Sequence, residues 1–288
     1  MSLFDLDPEP GPAPGGGVGD VPAERVRLWL VVAYDGSGFR GFAAQAGQRT
    51  VAGELAAAIA TVVRHDVDLT CAGRTDAGVH ALGQVVHVDV RADVEVARLV
   101  RSVNAMVGPA VVVRRAGPAP AGFDARRGAL ARHYRYLVLQ ADAADPLLGP
   151  VSWHVDEPLD LRAMQAGSDA LLGEHDFRAF CRRPPGTEAG VPIVRLVLDA
   201  RWSEVRPRPD GLSDEERLLR FDVSARSFCH QMVRSVVGTL VEVGRGRLKA
   251  ADVPAMLRQG DRSRGMTVAP PQGLCLLAVD YGEGPTGP

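Results

Sequence analysis

Among its 33 basic residues the chain has a single lysine, Lys249, and among 288 residues only four cysteines, Cys71, Cys181, Cys229 and Cys275. Because arginine carries almost every positive charge, no one arginine points by itself to a phosphate. Basic and acidic residues nearly balance, 33 against 35 for a net charge of −2, so a nucleic-acid partner would need arginines gathered on one face. The cysteines make no C-x-x-C pair, and adding His80, His87 and His230 gives no zinc-ligand spacing. No apolar run is long enough to span a bilayer, and the N-terminal residues lack the basic-then-apolar order of a signal peptide. The expectation is a cytoplasmic chain without a metal, its four thiols reduced and mostly packed as small apolar groups.

What is present is enough hydrophobic content, 46%, for one large domain or two of ordinary size. Residues 1–24, with PEPGPAPGGGVGDVPA at their centre, cannot build a core and are expected to form a disordered tail, with a short second tail at 283–288. Order is expected from Val26 to Tyr34 as an apolar strand, followed by a glycine-rich loop to Phe42 and a helix N-capped by Thr50. Strands at 67–72 and 84–90 follow. A second helix turns Val94, Val96, Leu99, Val103 and Met106 inward, and a strand at 110–113 closes this half.

The second half shows the same order. Its expected elements are a strand at 130–139, a short strand near 151–153, a helix through Leu161, Met164, Leu171 and Leu172, strands at 193–202 and 218–223, a helix at 228–243 and a strand at 274–279. Two stretches, 182–188 and 206–211, have loop-breaking composition. The expected fold class is α+β: two tandem ferredoxin-like βαββαβ units, 25–128 and 129–282, joined in one mostly antiparallel sheet. Helices would cover one face and leave the other as an RNA-binding cleft.

The chemistry-bearing stretch is Cys71-Ala-Gly-Arg-Thr-Asp-Ala-Gly-Val-His-Ala81, a loop between two strands. It sets Asp76 between Arg74 and His80, with Gly73, Gly78 and Gly83 free to take positive φ. A structural Asx-turn is the plain alternative for Asp76. Downstream, Phe123-Asp-Ala-Arg126 and Arg132-His-Tyr-Arg-Tyr136 alternate aromatic and guanidinium groups, which suits base stacking and phosphate contact. Period-two alternation equally places the tyrosines in a core. Arg234 lies beside the apolar stripe of a helix, where it either seeks a carboxylate such as Asp76 or snorkels to solvent.

Gly73-Arg-Thr-Asp-Ala-Gly-Val-His-Ala81, followed by Gly83-Gln-Val-Val-His87, resembles the signature of the tRNA pseudouridine synthase A (TruA) family. Supporting it are Tyr34-Asp-Gly36, Phe123-Asp-Ala-Arg126, Arg132-His-Tyr-Arg-Tyr136, Gly173-Glu-His-Asp-Phe177, Met232-Val-Arg234 and Gly273-Leu274. The resemblance runs from about Val26 to Tyr281. It implies an enzyme, often a homodimer, that isomerises uridine to pseudouridine in the tRNA anticodon stem-loop (tRNA positions 38, 39 and 40) without cofactor or metal. By matching motif, Asp76 is the nucleophile, Tyr134 lies against the target base and Arg234 pairs with Asp76. Arg74 holds the nucleotide out of the stack and Leu274 lines the pocket, while Thr75, His80, Arg126 and Arg132 are further substrate-binding candidates. The chain departs from the family pattern at Phe42, Ala43 and Ala52, positions that the resemblance places in substrate-facing structure. Two other readings remain: a non-catalytic RNA-binding platform of the same fold, and a synthase for other tRNA uridines. A metal-dependent hydrolase fits poorly, since no second carboxylate or histidine pair is spaced near Asp76.

Overall fold

The computed structural model describes residues 24–183, 190–205, 216–260 and 267–282. The expected tails, apart from Glu24, the breaker stretch at 206–211 and most of that at 182–188 lie outside the described residues.

In the first half β1 (Arg25–Tyr34) leads to α1 (Val51–Val63). The helix starts where Thr50 Oγ1 accepts the Gly53 N–H at 3.2 Å, and its stripe of Val51, Leu55, Ile59 and Val63 is buried. Then come β2 (Thr70–Cys71), β3 (His80–Arg91), α2 (Val96–Val107) and β4 (Val111–Pro118). Glu95 caps α2 by accepting the N–H groups of Ala97 and Arg98. Met106 does not face inward as expected. It is 46% exposed, because Val103 and Val107 carry the inner stripe.

The second half contains β5 (Ala131–Gln140), β6 (Trp153–Val155), α3 (Leu161–Asp169), β7 (Gly173–Asp176), β8 (Val194–Val205), β9 (Arg217–Ala225), α4 (Met232–Gly244), α5 (Asp252–Gln259) and β10 (Leu274–Asp280). β7 and α5 were not expected from the sequence. Helix α3 ends before Leu172, which is exposed. Helix α4 begins at Met232, four residues later than the 228 start expected, because Gln231 takes a left-handed conformation with φ 64°. Cys229, just before it, is disulfide-bonded to Cys181. That bond overturns the expectation of four reduced thiols. Cys71 and Cys275 are free and only partly buried.

All ten strands join one mixed, mostly antiparallel sheet in the order β4-β1-β3-β10-β5-β9-β8-β7, with β2 on β3 and β6 on β5. Residues directly opposite on paired strands project to the same side, which allows each face to be traced. Leu28 and Leu30 oppose Val88 and Val86. Ala81 opposes Leu276, Leu276 opposes Tyr134, and Tyr134 opposes Val223. These side chains share one apolar core with Leu55 and Ile59 of α1, Leu99 and Val103 of α2, and Val236 and Leu240 of α4. The helices therefore cover one face. The other face carries ion pairs such as Arg27–Asp89 at 2.7 Å and Arg135–Asp222 at 2.8 Å. Among the described residues no helix is long and apolar enough to cross a membrane.

Candidate active site

The loop from Ala72 to Val79 is fastened to the first half before any functional group is considered. Thr75 O accepts the Phe42 N–H at 3.1 Å, and Thr75 Oγ1 shares a hydrogen bond with the Tyr34 hydroxyl at 2.8 Å. Gln84 Nε2 donates to Gly73 O at 2.7 Å. The chain turns at Gly78 with φ 80°, where a Cβ would press on the Pro271 ring. Of the three glycines expected at positive φ only Gly78 has it. Gly83 is required for another reason: a Cβ there would run into the Leu277 carbonyl of β10, so this glycine permits the close approach of two backbones.

Asp76 projects from this loop onto the second half. Its Oδ2 accepts from Arg234 Nη1 at 3.1 Å, and its Oδ1 lies 3.4 Å from His230 Nε2. The Arg234 side chain is 14% exposed and that of Asp76 24%, so the pair is largely shielded from water. Arg234 is itself aimed by a second bond, Nε to Ala269 O at 2.8 Å, and Ala269 N–H returns to Arg234 O at 3.0 Å. Gly238, one turn along α4, lets that segment approach, since a Cβ would overlap Thr267 O. His230 was not anticipated. Its spacing of four residues before Arg234 was the available signal.

Tyr134 lies on the same face of the sheet, buried, with its ring edge-on to Phe228 at a centroid distance of 5.1 Å. Burial pushes its hydroxyl far above the ordinary tyrosine range, with the Asp76 charge adding to the shift and Arg132 opposing it. Tyr134 is therefore a neutral phenol at working pH, a stacking ring and hydrogen-bond donor rather than a ready-made base. Leu274 is buried opposite Tyr136 on this face. Tyr136 donates to Pro270 O at 2.7 Å, and its ring occupies the space a Gly273 side chain would need.

The cluster sits on the helix-bearing face. The expected cleft on the opposite face is thus misplaced for these residues, because Tyr134 shares its side with Val223, Phe228 and α4. Arg74 and Arg126 are exposed near the loop. Thr75, His80 and Arg132 are buried and committed to the fold. His80 Nδ1 accepts the Gly36 N–H at 3.2 Å and its Nε2 bonds Pro150 O at 3.1 Å. The guanidinium of Arg132 donates to four backbone carbonyls. These three side chains are held by bonds within the chain. Phe42 and Ala52 are likewise buried, 2% and 7% exposed, so those departures change the packing behind the loop. Among the described residues no three His, Cys, Asp or Glu side chains gather to hold a metal ion.

A half-buried carboxylate held by a guanidinium, beside a neutral phenol and an apolar wall, suits attack on, or proton removal from, a bound nucleotide. Comparison with known proteins gives this geometry its context. The family model described as tRNA pseudouridine synthase matches residues 30–126 and 168–282. The tRNA pseudouridine synthase A of Frankia casuarinae is 44% identical over 90% of this chain and 91% of its own length. That of Streptomyces griseus is 43% identical over 89% and 88%, and that of Mycobacterium leprae 39% identical over 90% and 91%. This chain belongs to the tRNA pseudouridine synthase family.

Proposed function

We propose that the chain isomerises uridine to pseudouridine in the anticodon stem-loop of tRNA, with Asp76 as the nucleophile. The observation that carries this reading is the Asp76–Arg234 pair, 3.1 Å long, which joins a loop of the first half to a helix of the second. The N1–C1′ glycosidic bond breaks, the uracil turns, and a C5–C1′ bond forms. C5 then gives up its proton and N1 gains one, so atoms and electrons balance within the nucleotide. Asp76 either attacks C1′ or C6 to form a covalent adduct, or removes a proton from the ribose. Arg234 holds the carboxylate in place during that step. Tyr134 stacks on the freed uracil with Leu274 beside it, and Arg74 fills the space left in the RNA stack.

Two tandem ferredoxin-like units, 25–128 and 129–282, are the architecture we infer. The strand orders β4-β1-β3 with β2 beyond, and β10-β5-β9-β8, repeat the same fourth-first-third-second arrangement. A cytoplasmic homodimer is part of the same reading.

The test is to incubate purified protein with an unmodified tRNA and map the pseudouridines formed. Wild type converts anticodon-arm uridines, while Asp76→Ala binds the tRNA and converts none. Equal turnover by the two proteins sinks the mechanism, and tight binding without turnover by wild type makes the chain a platform instead.

A further inference from the structure

Resting on the reading of this chain as an RNA-modifying enzyme, the geometry points to a phosphate-binding rim beside Asp76, formed by Arg126 and Arg226 and organised by the buried Arg132. Arg132 stands two residues before Tyr134 on β5 and is 8% exposed. Its Nη1 donates to Ala129 O at 3.2 Å and Arg226 O at 2.5 Å; its Nη2 donates to Ala72 O at 2.8 Å and Arg126 O at 2.9 Å. One guanidinium thus draws together three separate stretches of backbone: the start of the Asp76 loop, the segment joining the two halves, and the end of β9.

Each stretch carries an exposed arginine: Arg74, Arg126 and Arg226. None of the three side chains has an ion-pair partner among the described residues. Asp124, two residues before Arg126, caps the Arg126 and Arg127 N–H groups at 2.8 and 2.7 Å. The buried Arg132 feels Arg126 as a like charge, and a polyanion that settles on the rim relieves that repulsion.

The opposite face is arranged differently. There Arg135 and Arg220 share Asp222, Arg27 takes Asp89, and Arg201 lies 3.6 Å from Asp199. Among the described residues several arginines of the open sheet are thus neutralised by carboxylates, although the exposed Arg114 and Arg115 of β4 are not, whereas beside the site Arg74, Arg126 and Arg226 share the backbone framework that Arg132 holds together. The ligand chemistry this fits is consecutive phosphodiesters of an RNA strand, gripped next to the nucleotide that enters the site. Arg126 and Arg226 take phosphates, and Arg74, nearer Asp76, reaches toward the stack.

The test measures equilibrium binding of an unmodified tRNA transcript between 50 and 200 mM salt, for wild type and for Arg126→Gln/Arg226→Gln. Each phosphate contact contributes about 0.7–0.9 to the slope of log affinity against log salt. The double variant should lose about 1.6 from that slope, so wild type weakens about ninefold more than the variant over this fourfold salt range. Arg114→Gln/Arg115→Gln, on exposed β4 positions away from the rim, should keep the wild-type slope. A double rim variant with the wild-type slope overturns the rim, as does a loss confined to the Arg114/Arg115 pair. Turnover is measured on the same preparations. Turnover by wild type with no rim effect sinks the rim alone, and a rim effect without wild-type turnover sinks the isomerase reading alone.

Discussion

Replacing Arg234 by leucine isolates the contact on which the proposed chemistry leans. The substitution keeps the apolar stem in the α4 stripe and removes two charge-assisted bonds, to Asp76 Oδ2 at 3.1 Å and to Ala269 O at 2.8 Å. A hydrogen bond to a charged group contributes about 1.5–3 kcal/mol when shielded as this one is. If the first bond serves to hold Asp76 in its reactive position, its loss slows the chemical step about 10- to 150-fold. The second bond leaves the Ala269 carbonyl unpartnered, at a cost of about 1–3 kcal/mol of stability that urea unfolding reads separately. The assay is single-turnover release of the C5 proton from labelled uridine in tRNA, with tRNA affinity measured alongside. The expected result is a fall in rate far larger than the fall in affinity. Comparable losses in both would make Arg234 a phosphate contact and refute the argument.

Removing the second neighbour of the carboxylate, as in His230→Gln, should slow the same single-turnover step less than Arg234→Leu does, since 3.4 Å is a weaker contact than 3.1 Å; a larger loss would reverse the ranking. His87 Nδ1 accepts the Ala125 N–H at 3.0 Å, and burial, helped by Arg27, holds this imidazole below its ordinary 6.5. The folded chain thus resists a proton that the unfolded chain accepts. His87 stabilisation is full above about pH 6.5 and declines as pH falls below it, a slope that His87→Gln should reduce in unfolding experiments at pH 5 to 8. Gly83→Ala should cost about 1–3 kcal/mol in urea unfolding, because its methyl meets the Leu277 backbone rather than a side chain that could turn aside.

Elements with their own local signals were legible in the sequence. Helix α1 has a threonine cap and an unbroken apolar stripe, and the structure places it from Val51 to Val63. Strand β7 has neither cue: Gly173-Glu-His-Asp176 shows no apolar alternation and becomes a strand by pairing with Val194–Val197 of β8. The apolar pattern extends the α4 helix back to 228, whereas Cys229 is bonded to Cys181 and Gln231 is left-handed, features that the pattern does not signal. At the site, the pairing of Asp76 with Arg234 followed from residue type and resemblance. The burial of Thr75, His80 and Arg132 did not, since a motif names side chains without saying which way they point. Alternation along β5 separates Tyr134 from His133 but does not reveal which side the Asp76 loop overhangs.

That choice of side is decided by β10. It leaves the second half, pairs in parallel with β3 at only Cys275↔His80 and Leu276↔Ala81, and so meets the first half directly after the Asp76 loop. Its other edge runs antiparallel to β5, placing Leu276 opposite Tyr134 and Leu274 opposite Tyr136. One short strand thereby fixes Tyr134 relative to the loop, and the segment just before it, through Ala269 and Pro270, holds Arg234 and Tyr136. Asp76 belongs to one half, and Arg234 and His230, the side chains that hold its carboxylate among the described residues, belong to the other. Neither half contains the site, and the parallel seam at Gly83 is where the two are brought into register.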